Sequence, residues 1–94
     1  MASLLSDDDI SAALSDLPGW TRDGDSIVRS VEADSFAEGV ALVDEVAVIA
    51  DARNHHPDID IRWTTVTFRL STHSDGGLTG KDMEMAAAIN RLAQ

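Results

Sequence analysis

The 94-residue sequence is 44% apolar, contains no cysteine, and sets seven basic against seventeen acidic residues for a formal net charge of −10. Lack of cysteine excludes disulfides and zinc–thiolate sites, and the negative charge repels phosphate backbones and anionic headgroups, which argues against nucleic-acid and membrane partners. A chain this short buries only about 60–65% of the surface it exposes when unfolded, so self-association into a homodimer or homotetramer is expected to complete its burial.

In chain order, Met1-Ala2-Ser3-Leu4-Leu5 runs directly into Ser6-Asp7-Asp8-Asp9 without the basic flank and long apolar stretch of a signal peptide or membrane span, and a cytoplasmic protein is expected. Ser6 and Asp9 have capping-box spacing before a stripe of Ile10, Ala13 and Leu14, predicting a helix that stops before Pro18-Gly19. Trp20-Thr21-Arg22 and Ser26 to Val31 flank Asp23-Gly24-Asp25, a step suited to the positive φ of a hairpin turn, and read as two antiparallel strands. Ser35 and Glu38 open a second helix, with Phe36, Val40, Val43, Ala47 and Ala50 expected on its buried face and an end near Asn54, before Pro57.

From Ile59 the pattern changes to alternation. Ile59, Ile61 and Trp63 share one parity and Val66, Phe68 and Leu70 the other, so a tight turn or bulge is expected near Thr64-Thr65, with Trp63 in the packing. Thr79 and Asp82 form a third capping box ahead of Met85, Ile89 and Leu92. The resulting order α-β-β-α-β-β-α predicts an α+β fold: one domain over residues 1–94, a four-stranded antiparallel sheet with three helices on one face. Only Lys81 is a lysine and the acidic residues are spread along the chain, a pattern suited to staying soluble in high salt.

All three histidines fall at element ends, His55-His56 leaving the central helix and His73 after the last strand. Loops on rigid elements concentrate binding groups, and histidine titrates near pH 6.5, about where proton transfer at neutral pH needs it. Taken singly each is an ordinary surface loop residue. A metal site with Asp51, Asp58 or Asp82 is a weaker alternative, because two histidines four apart on a helix are absent and adjacent residues diverge.

The series Asp51, His55-His56-Pro57, Trp63, His73, Asp82 at its observed offsets, with Ser71-Thr72-His73-Ser74-Asp75-Gly76-Gly77-Leu78-Thr79 around it and Trp20 upstream, resembles the pterin-4a-carbinolamine dehydratase family. Seven residues at fixed offsets over some thirty positions are far more specific than a short glycine-loop motif. The resemblance implies a hydro-lyase that removes water from a 4a-hydroxytetrahydropterin, with no metal or redox cofactor, in a family that associates into dimers or tetramers. It implies His55 and His73 as the proton-transferring pair, with His56 holding the pterin and sharing in the transfer. Asp51, Asn54, Ser71, Thr72 and Trp20 would border the substrate, Asn54 standing where some members carry aspartate. A carboxylate one turn before His55 would orient it; Asp82 is expected to be structural, acting indirectly on His73, as is Pro57 at the helix exit. The competing class is a pterin-binding or dimerisation module of the same fold, serving a protein partner without significant catalysis.

Overall fold

Each helix begins where a side-chain oxygen meets the free N–H groups of its first turn. In the computed structural model, which describes residues 3–93, the Ser6 hydroxyl accepts from Asp9 N–H at 3.1 Å to start α1 (Asp7–Ser15). Ser35 does the same with Glu38 N–H at 3.1 Å for α2 (Phe36–Arg53), and Thr79 caps α3 (Gly80–Leu92) in a complete capping box with Asp82. Met1 and Ala2 of the opening stretch lie outside the described residues. Between the helices run β1 (Thr21–Asp23), β2 (Ser26–Glu32), β3 (Asp58–Arg62) and β4 (Thr65–Leu70), followed by a short 3-10 turn at His73–Asp75.

The four strands form one antiparallel sheet in the order β1-β2-β4-β3. Register brings Ile27 opposite Leu70, Arg29 opposite Phe68 and Val31 opposite Val66, with Ile59 and Ile61 beside Phe68 and Val66. These side chains share one face, where Ile27, Val31, Val66, Phe68 and Leu70 join Ile10, Leu42, Val46, Met85 and Ile89 from the helices in a common core. The other face is polar: Ser30 hydrogen-bonds Thr67 at 2.8 Å, and Arg69 reaches Asp23 at 2.8 Å. One wet face and one packed face are what period-two alternation in an antiparallel sheet produces. The predicted α+β arrangement and element order are those observed.

Two expectations change. The buried stripe of α2 is Gly39, Leu42, Val46 and Ala50, while Phe36 is 55% and Val48 71% exposed and Ala47 faces out. The helix carries apolar residues on nearly every side, so periodicity alone leaves its rotation open. Gly39 decides it: a Cβ there would lie 3.2 Å from Val66 Cγ2, so the absent side chain lets α2 approach β4. Trp63, expected in the packing, is instead 79% exposed, occupying the first position of the two-residue turn between β3 and β4 with φ 54°. Its turn position removes it from the strand alternation that would have turned it inward.

A polar node holds the far end of α3. Asn90 Oδ1 accepts from the Trp20 indole N–H at 2.8 Å and from the Arg29 guanidinium, while Asn90 Nδ2 donates to the Pro18 carbonyl at 3.1 Å. Arg29 lies on the inward face of the sheet, and its charge is carried to the edge of the core by this contact.

Replacing Gly39 by Leu should overpack the α2–β4 contact and destabilise the protein by about 1–3 kcal/mol in chemical denaturation, whereas an unchanged midpoint would mean that no close approach exists there. The Thr64 and Thr65 hydroxyls donate to the exposed Glu32 carboxylate and hold its pKa below the usual value. Because the folded-state value is the depressed one, the associated stabilisation is present above the unfolded value and is lost as pH falls through the folded one. Thr64→Val combined with Thr65→Val should return the Glu32 titration, followed by carboxyl NMR shifts, toward that of a free glutamate.

Candidate active site

The site begins with the way α2 ends. Asn54 takes the left-handed conformation, φ 49° and ψ 44°, which asparagine tolerates better than other residues with a Cβ. The break is closed by His55 N–H to the Ala50 carbonyl at 3.1 Å and Asn54 N–H to Asp51 at 3.3 Å. Helical geometry therefore stops before His55, and the chain turns its imidazole toward the first turn of α3.

There His55 Nε2 lies 2.6 Å from Asp82 Oδ1. The Asp82 side chain is fully buried and that of His55 is 10% exposed. The second carboxylate oxygen accepts from the Thr72 hydroxyl at 2.8 Å and from Thr79 N–H at 3.0 Å. Thr72 Oγ1 and Thr79 Oγ1 are 2.8 Å apart, and Thr79 Oγ1 accepts from Lys81 N–H at 3.2 Å. A hydroxyl has one hydrogen, and Thr72 gives its hydrogen to Asp82, so Thr79 must donate to Thr72. The network thus has one direction, from Lys81 N–H through Thr79 and Thr72 to Asp82. An ionised carboxylate only accepts, so His55 donates from Nε2, and in the neutral imidazole the lone pair then lies on Nδ1.

Burying a carboxylate without partners costs several kcal/mol, and three donors offset that here. Among the described residues no buried side-chain nitrogen or oxygen lacks a hydrogen-bond partner.

His56 Nε2 pairs with Asp51 Oδ1 at 2.9 Å on the surface, both side chains more than half exposed, so this pair is weak. Each aspartate thus meets a different histidine from the one expected: Asp51 pairs with His56 rather than His55, because the left-handed break ends the helical spacing, and Asp82, expected to act indirectly on His73, contacts His55 directly. His73 opens the 3-10 turn and is exposed, next in the chain to Thr72, which is anchored on Asp82. Thr72 is buried with its hydroxyl spent in the network, while the Ser71 hydroxyl donates to the Asp25 carbonyl at 2.8 Å. Pro57 is half-buried after the histidine pair. Trp20 is buried in the core and tied to Asn90, on the third turn of α3 rather than its first.

A cleft of about 580 Å³ opens beside this network, bordered by Arg53, His55, Lys81, Glu84, Ala87 and Arg91. Of these, sequence reasoning marked only His55 for the chemistry. The available signal was the clustering of scarce cations, since Arg53 closes α2 while Lys81 and Arg91 lie on α3. Among the described residues no group of three or more histidine, aspartate or glutamate side chains is arranged to hold a metal ion, and no helix is long and apolar enough to cross a membrane.

The model of the family described as pterin 4 alpha carbinolamine dehydratase matches residues 3–92. A Nocardia farcinica relative whose name assigns it to the pterin-4-alpha-carbinolamine dehydratases is 62% identical over 91 residues, covering 97% of this chain and 96% of its own. One from Mycobacteroides abscessus, with the same assignment, is 57% identical over 88 residues, covering 94% of each chain. The crystal structure of a Brucella melitensis protein titled transcriptional coactivator/pterin dehydratase superposes with a TM-score of 0.95 at 29% identity, covering 98% of this chain and 100% of that one. With a family match over residues 3–92 and relatives sharing more than half of its residues, the chain belongs to the pterin-4a-carbinolamine dehydratase family.

Proposed function

We propose that this protein dehydrates a 4a-hydroxytetrahydropterin to the quinonoid dihydropterin, with its histidines moving the protons. The observation that carries the reading is the His55–Asp82 contact, in which a fully buried carboxylate fixes one ring nitrogen of a nearly buried histidine at the edge of a cleft. In the reaction the C4a–O bond breaks, the N5 lone pair forms the N5=C4a double bond, N5 loses its proton and the departing hydroxyl gains one to leave as water. Electrons stay within the ring, so no external oxidant is required.

His55, donating to Asp82 from Nε2, presents Nδ1 as a base toward N5–H. His73, exposed at the start of its turn, is the acid for the departing hydroxyl. His56, held by Asp51, contributes to binding and shares in the transfer. Asp82 is a positioning residue in this scheme, supported by Thr72 and Thr79. Asn54 sets the helix exit, and the backbone at Ser71-Thr72 supplies polar groups along the substrate. Trp20 acts on this picture through α3, by way of Asn90.

A second reading has support in the similar Brucella melitensis protein, described as a transcriptional coactivator/pterin dehydratase: a module that binds pterin or protein partners with little turnover. In either case we propose that the working unit is a single domain assembled as a homodimer or homotetramer. β3 is an edge strand whose Ile59 and Ile61 are over one-third exposed, and Phe36 and Val48 are two exposed apolar side chains on α2. An unpaired edge with exposed apolar side chains suits a second copy.

The deciding experiment is a dehydration assay with freshly generated 4a-hydroxytetrahydropterin. His55→Ala and His73→Ala should each lower kcat/KM by about 10²–10⁴-fold, and His56→Ala should act mainly on KM. Asp82→Asn should also displace the pH–rate profile, which a purely structural residue would leave in place. Wild-type protein no faster than buffer would overturn the enzyme reading, and pterin affinity in that inert protein would support the module instead. Sedimentation should find a multimer in the wild type, and Ile61→Lys should shift it toward monomer; a wild type monomeric at micromolar concentration would overturn the assembly.

A further inference from the structure

Only seven residues of this chain are basic, and four have evident structural partners. Arg22 pairs with Asp7, Arg62 with Asp60 and Arg69 with Asp23, while Arg29 donates to Asn90. The remaining three, Arg53, Lys81 and Arg91, border the cleft that also contains His55. Among the described residues none of the three makes an ion pair; Arg53 donates only to the Glu84 backbone carbonyl, at 3.3 Å. In a chain with a formal charge of −10, nearly half of the cations thus gather in one concavity. Glu84 is the acidic member of that lining, and the cleft keeps an excess of positive charge.

Their spacing gives the cleft a direction. Lys81, Glu84, Ala87 and Arg91 recur at three- and four-residue intervals on α3, so they follow one face of the helix for about 15 Å. Lys81 is at the end nearest the His55–Asp82 network, Arg91 at the far end, and Ala87 leaves low apolar wall between them. Arg53, the last residue of α2, contributes from the opposite element. A neutral bicyclic ring with a short side chain needs no cations at that distance.

We infer that this cleft is a subsite for an extended anionic tail on the pterin, a polyphosphate ester or an oligomeric chain of carboxylates, running from the ring at His55 along α3 toward Arg91. The inference rests on the dehydratase reading for the position of the ring, and it adds the substituent class. Unpaired cations in a concave wall attract a multiply charged anion more than isolated surface charges do, and the attraction weakens with salt.

The test titrates the full chain with three stable reduced pterins: one with a neutral polyol side chain, one with the same side chain ending in triphosphate, and one with a triglutamate tail. At about 0.02 M salt an anionic tail should tighten binding by about tenfold or more, and at about 0.3 M much of that advantage should disappear. In a Lys81→Gln/Arg91→Gln variant whose circular dichroism matches wild type, the ratio of anionic to neutral affinity should fall close to one. Whichever arm gains identifies the tail as phosphate or carboxylate. Equal affinity of wild type for neutral and anionic pterins would overturn the subsite, as would a preference that survives in the double variant. Because binding is measured apart from turnover, a protein that dehydrates no pterin would strike the reaction and leave the tail preference to be decided by the titration.

Discussion

A carboxylate removed entirely from water must find its stabilisation within the protein, and Asp82 finds it from three separate parts of the chain. Thr79 N–H ties it to the start of its own helix, Thr72 to the end of β4, and His55 to the exit of α2. Removing one partner from such a group typically costs about 3–5 kcal/mol, because the charge remains buried with its other partners unchanged. The start of α3, the loop after β4 and the orientation of His55 are therefore coupled through one side chain. A substitution aimed at the helix cap alters the imidazole, and one aimed at the imidazole alters the cap.

Surface electrostatics are secondary by comparison. The His56–Asp51 pair and the Arg69–Asp23 pair across the sheet are exposed, where such contacts contribute about 0–1 kcal/mol. They limit side-chain positions more than they hold the fold. Stability comes chiefly from the packed face of the sheet, where Ile27, Val66, Phe68 and Leu70 have lost all contact with solvent against Met85, Ile89 and Val46.

Local signals in the sequence were reliable where one residue type has one physical use. The cap residues Ser6, Ser35 and Thr79 start helices because their hydroxyls satisfy free N–H groups, and Gly24 turns the hairpin with φ 61°. The rotation of α2 was not legible from apolar periodicity, since that helix is apolar nearly all round; the useful sign was Gly39, the residue without a side chain. Trp63 misled because composition says "core" for tryptophan, whereas its place in a two-residue turn depends on strand register. At the site, spacing brought out the histidines and both aspartates but not which carboxylate meets which ring. That pairing depends on the left-handed conformation of Asn54, a single backbone angle that asparagine permits without dictating.

The Asn90 node bears on the site from the opposite end of α3. With Thr79 and Asp82 fixing its first turn and Trp20, Arg29 and Pro18 gripping its third, the helix is clamped at both ends and has little freedom to slide along its axis. The cleft wall it forms is consequently a ruler of set length, already ordered when the chain folds. A ligand lying along it need not organise the helix on arrival, so little of its interaction energy is consumed by ordering, and affinity should depend on how well its own length matches the spacing of the side chains.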